Sequence, residues 1–199
     1  SDNQQALTYL TETRGHSATV LKEEGVGYVA GSLRVMLGAK GNKAKLDRLE
    51  RYGLLTEKRK DIAMAGLISF PLRDVEGRVC GFRFKDPRKQ QMAQQRRNGI
   101  LGDTPFLGMH TLKDLPEASR VMLVEGEHDW CSVRGAGWSE GLLATCGTLS
   151  FRQIAWIHEH ISDRSLVTLF DNDHGGEKYR EEVAEKLPEM SVMQYVPAG

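Results

Sequence analysis

Two stretches in the last third of the chain are built alike: Val121-Met122-Leu123-Val124-Glu125-Gly126-Glu127-His128-Asp129, and Leu166-Val167-Thr168-Leu169-Phe170-Asp171-Asn172-Asp173-His174-Gly175-Gly176. Each opens with an apolar run of strand length and then breaks into acids and glycine before a helix-like stretch. Further apolar runs follow at 142–145 and 191–196, and the segments 127–134, 151–161 and 177–187 read as helices. Ser150 and Gln153 form a capping-box pattern at the start of the second helix. Four short apolar runs alternating with three helices predict an α/β fold with βαβ units and a mainly parallel sheet. Such sheets bind ligands beyond the carboxyl ends of their strands, and Glu125 and Asp171 stand at two of those ends.

The chemistry follows from that placement. Asp129 lies one helical turn beyond Glu125 and can face the same crevice. Asp171 and Asp173 alternate by two, so an extended backbone points both the same way. Gly126 is read as a tight turn, and Gly175-Gly176 as a sharp bend into the following helix. Carboxylates gathered this closely repel one another, and a divalent cation relieves the repulsion. Mg²⁺ held by a few carboxylates keeps positions open for water and phosphate oxygens. Asp-x-Asp before a helix also serves simply as a turn and N-cap. It is the combination of both acidic signatures on two strands of one array that points to metal.

Upstream, residues 66–72 read as a strand whose end Pro71 demotes to an edge or exit. Asp74-Val75-Glu76-Gly77 is a turn and residues 78–84 return, making a hairpin. Residues 88–103 read as a polar, basic connection. Earlier still, a short helical stripe begins at Ala6-Leu7 and stops at Arg14-Gly15. Ser17 caps a second short helix, residues 25–29 are extended, and residues 43–51 form a charged helix with Leu46 and Leu49 on one face. The expected division is a smaller α+β part over 1–115 and the parallel-sheet part over 116–199.

The chain has 199 residues, with 27 Lys plus Arg against 27 Asp plus Glu. Zero net charge leaves nucleic-acid binding to local distribution, and the distribution is uneven. Arg83, Lys85, Arg88, Lys89, Arg96 and Arg97 cluster against one acid, Asp86, either as a solvated loop or as a phosphate-binding run. Cys80, Cys131 and Cys146 are widely spaced without a Cys-x-x-Cys, which excludes a zinc ribbon in this segment and fits a reducing cytoplasm. No apolar run is long enough to cross a membrane, and the first residues lack the pattern of a signal peptide. His128 and His174 read as solvated polar residues, and Trp130, Trp138 and Trp156 as core or interface residues. His158 and His160, two apart on a helix, do not make a metal pair.

The segment from about 120 to 196 resembles a TOPRIM domain, the fold shared by topoisomerases and primases. The likeness rests on Glu125-Gly126 with Asp129, on Asp171-x-Asp173, and on Gly176. Residues 9–28, the hairpin Ile68-Ser69-Phe70-Pro71-Leu72-Arg73-Asp74 with Gly77-Arg78-Val79, and Cys146-Gly147-Thr148-Leu149-Ser150 resemble the polymerase core of bacterial DnaG-type primases. That resemblance implies metal-dependent nucleotidyl transfer, making short RNA primers on a single-stranded DNA template from ribonucleoside triphosphates. It further implies Mg²⁺ or Mn²⁺ on Glu125, Asp171 and Asp173, with Glu125 as general acid/base and Asp129 in support. Template contacts would come from the basic run, and a replicative helicase would be the partner, in cis or in trans. The family's Pro-Lys-Tyr element after the hairpin is absent. A TOPRIM nuclease and a catalytically degenerate nucleic-acid-binding module are the alternatives.

Overall fold

A computed structural model describes residues 2–51, 54–63, 65–87, 98–99, 105–117, 119–190 and 192–195. Two compact units emerge, Ser1–Leu72 with Val79–Asp103, and Arg73–Arg78 with Thr104–Gly199.

In the first unit, α1 (Asp2–Thr8) runs into a π-helical turn at Tyr9–Thr13, and α2 (Ala18–Glu23) is capped by Ser17, whose hydroxyl accepts from Val20 N at 3.4 Å. β1 (Gly27–Tyr28), α3 (Leu33–Met36) and α4 (Lys43–Arg51) follow, then β2 (Ile68–Arg73), β3 (Val79–Lys85) and β4 (Asn98–Gly99). The sheet order is β1-β2-β3-β4. Pro71 lies inside β2, not at its end. It is tolerated there because β1 reaches only Ile68 and Ser69, so no ladder bond from β1 is asked of position 71. The connection after β3 is not wholly irregular: Asn98 and Gly99 pair antiparallel with Phe82 and Gly81.

α4 has a narrow apolar side. Leu49 packs with Ala39 and Leu55, and Leu46 and Leu54 lean on them. Its two acids, Asp47 and Glu50, both meet Arg59, at 2.5 and 3.4 Å.

The second unit carries β5 (Val121–Val124), α5 (Glu127–Gly135), β6 (Leu142–Ala144), α6 (Phe151–His160), β7 (Leu166–Leu169), α7 (His174–Lys186) and β8 (Val192–Tyr195). The strands lie in the order β6-β5-β7-β8, and every pair is parallel. Val121, Leu123, Leu142, Leu143 and Leu166 are fully buried, each worth about 1.5–3 kcal/mol relative to exposure. Trp156, Ile157, Tyr179, Val183 and Leu187 of α6, α7 and the turn after α7 complete this core, and Val75 of the hairpin turn packs against it. The sheet and its crossovers are those expected from the pattern of apolar runs.

α7 begins at His174, three residues before the expected start. Gly175 and Gly176 lie within its first turn and make no bend. The three cysteines are buried free thiols. Trp130 and Trp156 are core residues, whereas Trp138 is 37% exposed. Among the described residues, no helix is long and apolar enough to cross a membrane.

Candidate metal centre

β5 and β7 are neighbours, with Val124 opposite Leu169. The chain therefore delivers Glu125 and Asp171 to one end of two adjacent strands. They meet there: the Asp171 backbone N–H donates to Glu125 Oε1 at 3.2 Å.

The backbone of Glu125 is held from the β6 side. Its carbonyl accepts from Cys146 N at 2.7 Å and from the Thr145 hydroxyl at 3.2 Å. Tyr179 OH donates to that same hydroxyl at 2.8 Å. Gln153, wholly buried, donates from Nε2 to the carbonyls of Thr145 and Pro105 at 3.0 and 2.9 Å and accepts Ser150 N on Oε1 at 2.9 Å. The expected capping box is thus part of a larger clasp on the loop beside Glu125. Tyr179 packs edge-on against Phe170, ring centroids 4.7 Å apart. Burial pushes its phenol well above the usual range, so it stays protonated as a donor.

Asp129 and Asp173 each spend one oxygen on a helix start. Asp129 Oδ2 accepts from Gly126 N at 2.8 Å, and Asp173 Oδ1 from Gly176 N at 2.8 Å. Negative charge in a first turn also suits the helix dipole. Asp171 and Asp173 are exposed, while Glu125 and Asp129 are half-buried. Arg180, a buried cation, donates to the Asp171 carbonyl at 3.2 Å.

The glycines at both helix starts also act by size. Gly126 has φ −138°, ordinary extended backbone, and a Cβ there would stand 3.2 Å from Asp129 Oδ2. A Cβ on Gly176 would overlap the Asp171 carbonyl oxygen and lie 2.8 Å from its carbon. Gly126 stands in the bend between β5 and α5, as expected, whereas Gly176 lies inside α7 and its reading as a turn residue is corrected; both keep the chain close to the acids.

Burial raises the proton affinity of Glu125, and the carboxylates of Asp171, Asp129 and Asp173 raise it further, against the lowering effect of the Asp171 N–H. Among the described residues, no group of three or more His, Cys, Asp or Glu side chains is close enough to hold a metal ion by itself. An oxygen-only crevice of this kind still fits Mg²⁺, which is bound through one or two carboxylates plus substrate phosphates rather than in an all-protein cage.

A group whose proton affinity is raised by folding stabilises the fold fully at low pH. That contribution is lost as the pH rises through the raised pKa. Glu125→Gln removes that half-buried charge, so at pH 7.5 without divalent metal its melting midpoint should lie above the wild type's. Mn²⁺ should raise the wild-type midpoint and leave the variant's unmoved. A variant that melts at or below the metal-free wild type would contradict this electrostatic picture.

The basic run is only partly described. Arg83 on β3 is 3% exposed, Lys85 is half-buried, and Arg88, Lys89, Arg96 and Arg97 lie outside the described residues. His174 is exposed as expected. His128 is 7% exposed and Glu127 1%, so neither is a solvated flank. They fall on the side of α5 that also buries Trp130 and Cys131. Thr145 and Tyr179 were not singled out as site residues from the sequence. Thr145 follows β6 directly as Glu125 follows β5, which is the signal it offered. Tyr179 offered none, since its role depends on how α7 packs.

Residues 122–197 match the family described as Toprim-like. A DNA primase of Deinococcus radiodurans is 28% identical over 182 residues, covering 87% of this chain and 32% of its own. The chain thus spans about a third of that relative's length. The RNA polymerase domain of Mycobacterium tuberculosis primase DnaG superposes with a TM-score of 0.80 at 20% identity, over 100% of this chain and 69% of that one. A DnaG primase catalytic domain bound to single-stranded DNA gives 0.70 at 18% identity, over 100% and 67%. The fold is that of a DnaG-type primase catalytic core, with a Toprim-like domain in the second unit.

Proposed function

We propose that this chain is the catalytic core of a DNA primase, an RNA-polymerase-type nucleotidyltransferase that lays short RNA primers on single-stranded DNA during replication. The observation that carries the reading is the convergence of Glu125 and Asp171 at the ends of adjacent parallel strands, with Asp173 and Asp129 beside them. The likeness of sequence and fold to primases supports it.

In this reading Glu125, Asp171 and Asp173 hold Mg²⁺ or Mn²⁺, which when bound neutralises the triphosphate and polarises its phosphoryl oxygens. The primer 3′-oxygen attacks the α-phosphorus of the incoming ribonucleotide. The bond from that phosphorus to the bridging oxygen breaks and pyrophosphate leaves. Where Glu125 does not hold the metal, it takes the 3′-hydroxyl proton instead. Asp129 fixes the backbone next to Glu125, and the clasp through Thr145, Tyr179 and Gln153 holds that carbonyl still. Lys85, Arg88, Lys89, Arg96 and Arg97 guide the template through its phosphates, whereas Arg83, expected among them, is buried on β3 and does not reach it. A replicative helicase, in cis or in trans, supplies the single strand in the cytoplasm.

The test is a gel assay with single-stranded DNA, ribonucleotides and Mg²⁺ or Mn²⁺. New short RNA from the wild type, reduced at least about 10³-fold in Glu125→Ala, is the expected result, the loss of a positioned general base and metal ligand together. Metal-dependent shortening of the DNA with no RNA made would replace the primase by a nuclease built on the same acids.

A further inference from the structure

α7 reaches both strand ends of the acidic crevice with two consecutive residues, Tyr179 and Arg180, both buried. Tyr179 acts through Thr145. A carbonyl can only accept, so Thr145 directs its hydroxyl proton to the carbonyls of Glu125 and Val124, at 3.2 and 3.4 Å, and receives the Tyr179 proton on its oxygen at 2.8 Å. The Cys146 N–H donates to the same Glu125 carbonyl at 2.7 Å. Arg180 acts directly: its Nη1 donates to the carbonyl of Asp171 at 3.2 Å. The two acids are themselves joined by the Asp171 N–H on Glu125 Oε1.

We propose that Tyr179 and Arg180 form a gauge for the metal: two positioning residues on one helix that fix the backbones of Glu125 and Asp171, and so set the gap a divalent ion must bridge. The inference rests on the assignment of those two acids to the metal. Packing alone explains neither residue. The Tyr179 ring has its apolar neighbour in Phe170, ring centroids 4.7 Å apart. Phenylalanine would fill that place without burying a hydroxyl, which costs stability unless it is bonded. The bond that Tyr179 makes leads to the hydroxyl that touches the Glu125 carbonyl. Arg180 is the stronger sign. A buried guanidinium is ordinarily paired with a carboxylate, and among the described residues this one meets none. It is held instead on the peptide carbonyl of a proposed metal ligand. Neighbours in a helix, about 1.5 Å apart along its axis, cannot move independently. Braces from one helix therefore tie the spacing of the acids to a single rigid element. The start of the same helix is seated on the Asp171 backbone at Gly176, where no side chain would fit. Such control of the gap suits Mg²⁺, which demands near-ideal octahedral geometry, whereas Ca²⁺ tolerates a looser site.

The test uses the 199-residue chain and reads metal binding, so it stands apart from primer synthesis. Bound Mn²⁺ is followed by water-proton relaxation and displaced with Mg²⁺ or with Ca²⁺. Tyr179→Phe and Arg180→Met keep the ring and the stem. Each should lower the preference for Mg²⁺ over Ca²⁺ at least about 5-fold, the effect of one lost hydrogen bond, with a melting midpoint within a few degrees of wild type. A residue that only supported the fold would lower both affinities together. Tyr179→Phe should add nothing in a Thr145→Val background, because the relay is already cut there. Thr145→Ser, which returns the hydroxyl, should restore most of what Thr145→Val loses. Arg180→Met, on the other brace, should add its own loss to Thr145→Val. Wild-type preference in both Tyr179→Phe and Arg180→Met overturns the gauge. So does a full further loss from Tyr179→Phe in the Thr145→Val background, which would make the ring rather than the relay responsible. A wild type that binds no Mn²⁺ overturns the metal assignment itself, and the gauge with it.

Discussion

Asp171→Ala is expected to lower metal-dependent primer synthesis at least about 10³-fold while leaving the fold intact. The size follows from what the side chain does: it sits at a strand end beside Glu125 and is one of three acids assigned to the metal, and losing a metal's charge at a phosphoryl transfer costs several kcal/mol of transition-state stabilisation. Folding should be spared because Asp171 is exposed, and the contacts made there belong to its backbone. Its N–H reaches Glu125 and its carbonyl receives Arg180, and alanine keeps both. Mn²⁺ titration by calorimetry should show at least a tenfold weaker site, with a melting midpoint within a few degrees of wild type. Undiminished Mn²⁺ binding and synthesis would remove Asp171 from the site.

Gly176→Ala should be strongly damaging to the second unit. The added carbon would overlap the Asp171 carbonyl oxygen and stand 2.8 and 3.0 Å from the backbone carbon and nitrogen of the same residue. Backbone cannot swing aside as a side chain can, so either α7 or the end of β7 must move. Overpacking of this kind costs about 3 kcal/mol, roughly a 6–12 °C fall in melting midpoint. The displaced Asp171 should also weaken Mn²⁺ binding even at temperatures where the variant is folded. A variant with wild-type midpoint and affinity would mean the helix start is not seated on Asp171 as described.

The parallel sheet was legible because its central strands β5 and β6 are buried at every position and so read as unbroken apolar runs. The acids were legible because they interrupt those runs at the strand ends. What escaped was whatever depended on a distant neighbour. Two consecutive glycines are poor helix formers, so α7 was expected to begin after them, yet the Asp173 cap carries the helix through both. Gly176 looked like a turn because a glycine's need for space near another backbone cannot be seen along the chain. His128 looked solvated because acids surround it in sequence, although α5 buries it, leaving it 7% exposed. Residues 43–51 read simply as a charged helix, in which Asp47 and Glu50 alternate with the cations. Arg59 withdraws those acids across a turn, a contact no local window contains. β4 is two residues long and gives no periodicity at all.

The pairing of β5 with β7 joins Val121 to Leu166, forty-five positions apart, with α5, β6 and α6 folded in between. The acidic crevice therefore has no local precursor, because Glu125 and Asp171 become neighbours only when one of the longest loops in the unit has closed. Metal that needs both acids finds nothing to grip in the early collapsed chain. Under the proposed assignment such a metal would slow unfolding rather than nucleate folding.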